Sequence, residues 1–193
     1  MQRQQRNATE LSIQVYNMEN NDVIRTAGIV SDSITDGPGL RFTLFVQGCP
    51  HRCEGCHNPQ THDFEGGTLM SVDEVFEKIR KNPILRGITF SGGEPFCQAS
   101  PLLLLARKCK DAGLELAIYS GYTFEELLEL SKNDKNILEL LSLCDTLIDG
   151  RFILSERSLS IRFRGSKNQR IIDVKKSLET GQAVLDESER WNG

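Results

Sequence analysis

Three thiols fall within eight residues in Cys49-Pro-His-Arg-Cys53-Glu-Gly-Cys56, close enough to converge on one metal centre. Structural zinc takes four protein ligands, so His51 or His57 would have to complete such a set. Three thiolates on a 4Fe–4S cube instead leave one iron open for a substrate. A third chemistry, Cys53 and Cys56 as a redox pair, leaves Cys49 without a part. Further along, Ser91-Gly92-Gly93-Glu94-Pro95 sets a carboxylate directly behind two glycines, whose backbone can approach a ligand or simply turn the chain.

These residues need elements to hold them. Leu40–Val46 is rich in aliphatic, aromatic and β-branched residues and reads as a buried strand running straight into the cysteine loop. Ser71-Val-Asp-Glu74 is a capping-box pattern, and Val72, Val75, Phe76 and Ile79 share one helical face to about Asn82. Ile88–Phe90 reads as a short buried strand leading into the Gly-Gly-Glu turn. A helix from near Pro101 stripes Leu102, Leu105, Ala106 and Cys109, and Gly113 stops it. Leu114–Tyr119 is then a strand, Thr123 caps a helix, Ile137, Leu140, Leu141 and Cys144 stripe another, and Thr146–Ile148 returns to strand. Repeated alternation of strand and helix predicts an α/β fold with a mainly parallel sheet or partial barrel. Ligands gather at the carboxyl ends of strands in such folds, where the cysteine loop and the Gly-Gly-Glu turn both fall.

The Cys-x3-Cys-x2-Cys loop after a strand resembles the cluster motif of radical S-adenosylmethionine enzymes. Asp36-Gly-Pro-Gly39 ahead of it and Cys56-His-Asn-Pro59 at its end resemble the branch that activates glycyl-radical enzymes. Asp145-Thr-Leu-Ile-Asp-Gly-Arg-Phe152 and Arg164-Gly-Ser-Lys-Asn-Gln-Arg170 resemble, within that branch, the activases of anaerobic ribonucleoside-triphosphate reductases. The similarity runs over roughly residues 24–174 and implies a partial (β/α) barrel of the radical S-adenosylmethionine type. It implies that Cys49, Cys53 and Cys56 hold three irons of a 4Fe–4S cluster while S-adenosyl-L-methionine chelates the fourth. One electron then cleaves a carbon–sulfur bond and yields a 5'-deoxyadenosyl radical. Gly92, Gly93 and Glu94 would receive the amino-acid end of the cofactor, and the backbone around Gly55, Cys56 and His57 the adenine. No side chain is implied as an acid or base. The implied partners are the large subunit of the reductase and a low-potential electron donor such as flavodoxin. Pyruvate formate-lyase is the alternative glycyl-radical substrate, and a zinc-binding interaction module is the alternative of another class.

The remaining residues are simpler. Cys109 and Cys144 sit on apolar stripes and read as core, and Cys97 stands near the expected cluster without being needed as a ligand. Ser120 and Tyr122 are either ribose contacts or ordinary loop residues. The run 151–176 carries eight Lys or Arg against Glu156 and Asp173, a net of +6 in a chain of net charge −4. It is a solvated face or a docking rim for an acidic partner. The overall charge argues against nucleic-acid binding. No apolar run reaches the about 18 residues of a membrane span, and nothing resembles a secretory signal, so the expected address is the cytoplasm, with reduced thiols. With 193 residues, 38% of them hydrophobic and 26% charged, the chain is expected to form one domain over 22–176. It would be preceded by a loose polar segment, 1–21, in which Leu11, Ile13 and Val15 hint at a strand, and followed by an exposed tail, 177–193.

Overall fold

The computed structural model describes residues 22–192. The expected strand around Leu11–Val15 and the loose segment 1–21 lie outside the described residues. Seven strands form one sheet: β1 (Val23–Ser33), β2 (Arg41–Val46), β3 (Thr68–Ser71), β4 (Gly87–Gly92), β5 (Glu115–Tyr119), β6 (Thr146–Asp149) and β7 (Arg170–Asp173), in the order β3-β1-β2-β4-β5-β6-β7. The centre, β2-β4-β5-β6, is parallel. The flanks are antiparallel: β1 pairs with both β2 and β3, and β7 with β6. The fold is therefore α/β with a mixed sheet, parallel only where helices provide the crossovers.

The crossover helices are α1 (Val72–Arg80), α2 (Ala99–Asp111), α3 (Phe124–Leu130) and α4 (Lys135–Leu143); α5 (Val174–Thr180) and a short α6 (Glu189–Asn192) follow the last strand. Alternate residues of each strand turn toward the helices. Phe42, Leu44, Val46, Ile88, Phe90, Leu116, Ile118 and Leu147 meet Val75, Ile79, Leu102, Leu105, Leu140 and Leu141 in the main core. Cys109 and Cys144 lie buried in this layer, as their stripes require. Helix α1 starts with the expected capping box: Glu74 N–H donates to Ser71 Oγ at 3.1 Å, and Ser71 N–H to Glu74 Oε2 at 2.7 Å. Ser71→Ala is expected to cost about 1 kcal/mol in urea denaturation, the usual loss of an N-cap.

The opposite face is lined differently. Arg41, fully buried, donates from Nε to Thr89 Oγ1 at 2.7 Å and from Nη2 to the Ile88 carbonyl at 2.6 Å. Asp36 of the Asp-Gly-Pro-Gly turn accepts from Thr43 Oγ1 at 3.1 Å, and its carbonyl accepts from Thr89 Oγ1 at 2.8 Å, pinning the turn to β2 and β4. Ala117, Ile148 and Ile171 form a second, small core with Trp191, which is only 1% exposed and meets Phe163 edge-on at 5.3 Å.

Trp191 corrects the expected exposed tail. Helix α5 runs through the expected boundary, and residues 184–186 then follow β7: Asp173 N–H donates to the Val184 carbonyl at 2.9 Å and Asp186 N–H to the Ile171 carbonyl at 2.8 Å. Arg190 donates to Glu115 at 2.9 Å beside the tryptophan. One large apolar ring with a surface to cover outweighs the polar composition of its neighbours.

Candidate active site

Strand β2 delivers Gly48 and Cys49 to the carboxyl edge of the parallel strands, where a sharp loop follows. Arg52 (φ 49°) and Gly55 (φ 69°) take left-handed backbone conformations on either side of Cys53, and Cys56 N–H closes a turn onto the Cys53 carbonyl at 3.2 Å. These reversals bring all three thiols to one cavity of about 630 Å³, whose wall also includes His57, Gly92 and Gly93. Gly93 N–H donates to the Val46 carbonyl and Glu94 N–H to the Gly48 carbonyl, each at 2.8 Å. The Gly-Gly-Glu turn is thereby sewn to the entry of the cysteine loop.

Two of the expected residues stand behind this wall. Glu94 is fully buried, and its carboxylate accepts from Ser120 Oγ (3.0 Å), the Gly121 N–H (2.8 Å), the Phe96 N–H (3.1 Å) and His51 Nε2–H (2.9 Å). Gly55 has the side where a Cβ would stand covered by Leu154, whose Cδ1 would lie 2.8 Å from such an atom. The left-handed φ favours glycine there, and the Leu154 methyl would have to shift to admit a larger residue.

The loop between β6 and β7 provides that cover. Gln169 Nε2 donates to the Gly150 carbonyl at 2.9 Å while its Oε1 accepts from the Gly165 N–H at 2.8 Å. Asn168 donates to the Arg151 carbonyl at 2.9 Å, and Ser166 Oγ accepts from the Ile153 N–H at 3.2 Å. Arg170 pairs with buried Asp149 and with Glu125. The Arg164–Arg170 motif thus folds its own loop back on itself, bringing Phe152 to within 5.0 Å, centroid to centroid, of the His57 ring. Leu159 is 90% exposed on this loop. Arg151, Arg157, Arg162 and Lys167 form no ion pair among the described residues.

All six cysteines are free thiols. Burial, the dominant cause, pushes the Cys49 thiol up, and the Glu94 and Cys53 charges push it further. Burial raises Cys97 as well, helped by Glu94 and Cys49. A bound cation reverses this preference at its own ligands by deprotonating them. The Asn58 N–H already points at Cys56 Sγ, 3.4 Å away. His62 Nε2, on the wall of the same cavity, is buried without a hydrogen-bond partner, a polar atom that a bound group would satisfy. Among the described residues no three His, Cys, Asp or Glu side chains are gathered tightly enough for a single metal ion. A sulfide-bridged cube takes its thiolates further apart than one tetrahedral ion does, and three thiols on one cavity wall suit such a cube. His51, one candidate to complete a zinc set, is held by Glu94.

His62 and Leu154 have no local signal in the sequence, and Phe152 is marked there only as the end of the Asp145–Phe152 motif. They join the site through contacts between loops. Ser120 is both on the cavity wall and bonded to Glu94, and Tyr122 packs edge-on against His51 at 4.4 Å.

Comparison with known proteins matches residues 35–172 to the 4Fe-4S single cluster domain family. The anaerobic ribonucleoside-triphosphate reductase-activating protein of Haemophilus influenzae is 36% identical over 148 residues, covering 70% of this chain and 89% of that protein. Its counterpart in Vibrio cholerae is 35% identical over 144 residues, with the same coverage. The pyruvate formate-lyase-activating enzyme of Clostridium pasteurianum is 37% identical over 120 residues, 59% of this chain and 50% of that enzyme. With its cysteine loop, its cavity and these relatives together, the chain belongs to the 4Fe-4S family of glycyl-radical activases, on the side of the anaerobic ribonucleoside-triphosphate reductase-activating proteins.

Proposed function

We propose that this protein generates the glycyl radical of an anaerobic ribonucleoside-triphosphate reductase, using S-adenosyl-L-methionine and a 4Fe–4S cluster ligated by Cys49, Cys53 and Cys56. The observation that carries the reading is the convergence of those three thiols with Gly92 and Gly93 on one cavity. When bound, the cluster supplies the single low-potential electron that the sulfonium needs. The chain's own residues do the rest by placement. Gly92 and Gly93 form the edge that takes the cofactor's amino-acid end, with Cys56 and His57 flanking its adenine. Phe152 and Leu154 close the loop side against water. The sheet is read as the partial barrel of radical S-adenosylmethionine enzymes, with its mouth at this cavity.

A glycine α-hydrogen is a fitting target, because amide nitrogen and carbonyl both stabilise the resulting radical and no side chain shields it. Exposed Leu159, with the unpaired cations around it, forms the rim that meets the reductase. An acidic, low-potential donor such as flavodoxin suits the same charge. No helix among the described residues is long and apolar enough to cross a membrane. A cytoplasmic setting suits six free thiols, and neither nucleic acid nor membrane is needed as a partner.

Mixing the reconstituted protein with reductase, S-adenosylmethionine and a strong reductant is expected to give a doublet electron paramagnetic resonance signal on the reductase. Deuterium on the target glycine should collapse the doublet and appear in 5'-deoxyadenosine. Cofactor cleavage that leaves the reductase silent but puts a radical on pyruvate formate-lyase would move the assignment to that substrate. A colourless protein with stoichiometric zinc would end the activase reading.

A further inference from the structure

We infer that His51 is a positioning residue that latches the cysteine loop to the Gly-Gly-Glu turn through Glu94. The inference rests on the proposed function, and it moves Glu94 from contact with the cofactor to support from behind.

Glu94 is fully buried, and its two oxygens already receive donors from β4's own turn (Phe96 N–H) and from the end of β5 (Ser120 Oγ and Gly121 N–H). A buried carboxylate with this many donors is an anchor. The one donor from the cysteine loop is His51 Nε2–H, 2.9 Å from Oε2, between residues 43 apart in sequence. Its side chain is 4% exposed, and Tyr122 meets the ring edge-on at 4.4 Å. Gly121 leaves room for it: a Cβ there would lie 2.3 Å from His51 Cδ2.

His51 lies between Cys49 and Cys53, so its position sets where the thiols stand relative to the Gly92–Gly93 edge. Three thiolates can hold a cluster without this link, because each bond is local. Chelation of S-adenosylmethionine by both the open iron and the glycine edge needs the two halves in register. The latch supplies that register, and its loss is expected to weaken cofactor binding more than cluster assembly.

The test compares His51→Gln with His51→Leu in the reconstituted protein. Gln can place an amide N–H near the position of Nε2, whereas Leu fills similar volume with no donor. Expected readouts are iron and sulfide content near wild type in both, and an anaerobic S-adenosylmethionine dissociation constant raised about ten- to a hundredfold in His51→Leu, the usual scale for a lost charge-assisted hydrogen bond. His51→Gln should recover to within about threefold, together with the cofactor-induced change in the spectrum of the reduced cluster. Gly121→Ala, which crowds the ring without removing a polar group, should behave as His51→Leu does. A donor effect confined to cluster content, lost with Leu and kept with Gln, overturns the latch, because the latch sets the register for the cofactor and not the assembly of the cluster. Equal behaviour of Gln and Leu, or wild-type cofactor affinity in folded Gly121→Ala, overturns it. Wild-type protein that holds no cluster or binds no S-adenosylmethionine overturns the proposed function instead, so the two failures are distinct.

Discussion

Single replacement of Cys49, Cys53 or Cys56 by alanine is expected to drop bound iron and sulfide to background, while Cys97→Ala, Cys109→Ala and Cys144→Ala retain the cluster. The first three thiols share the cavity wall. Cys109 and Cys144 lie among the apolar side chains between helices and sheet, where Cys144 Sγ donates to the Thr146 carbonyl at 3.0 Å. Burial pushes Cys109 up to about 12, which keeps it a neutral packing group. Its replacement by alanine should cost stability on the order of 1 kcal/mol and no iron. Cys97 is the informative control. It follows the Gly-Gly-Glu turn closely enough to feel the charges of Glu94 and Cys49, yet it does not line the cavity. Loss of the cluster in Cys97→Ala with retention in Cys49→Ala would refute the ligand set.

Trp191→Ala is expected to destabilise the protein by about 3–5 kcal/mol, the range for removing a large buried aromatic side chain. The ring is 1% exposed and covers Ala117, Ile148 and Ile171 on the sheet face that the main helices leave bare. Trp191→Phe should keep most of that stability, because the indole N–H is buried with no partner to lose. Urea denaturation of the three proteins decides the matter. A loss below about 1 kcal/mol for Trp191→Ala would mean that α6 does not close this face.

The central strands are legible in the amino-acid sequence, because β2, β4, β5 and β6 are short apolar runs bounded by turn residues or caps. Helices α1 to α4 are legible through their stripes and through the Ser71 and Thr123 caps, whereas α5 and α6 fall where the sequence reads as a basic run and a tail. Strand β1 is not: its register breaks between Thr26 and Gly28 and again between Val30 and Ser33, so no single alternation survives along it. Strand β7 hides inside a run of basic residues, since Arg170 is held by Asp149 and Glu125 rather than solvated. In the site, the thiols and the Gly-Gly-Glu turn declare themselves by spacing. The buried setting of Glu94 does not, because His51, Ser120 and Gly121 reach it from distant parts of the chain. The cover of Gly55 by Leu154 is of the same kind, a contact between loops that carries no local pattern.

The way the sheet ends has a consequence for self-association. Exposed strand edges invite pairing with another chain and, from there, aggregation. Here β7 has its outer side occupied by residues 184–186, through the Val184 carbonyl, the Asp186 N–H and the bridge from Ile172 to Leu185. At the other end β3 is only four residues long. Among the described residues the open edge of the sheet is instead the outer side of β1 beyond Thr26, where β3 ends. A protein that must open a cavity toward a large substrate meets it with side chains and loops, and at the β7 end its sheet stays closed to the nonspecific pairing that such exposure would otherwise risk.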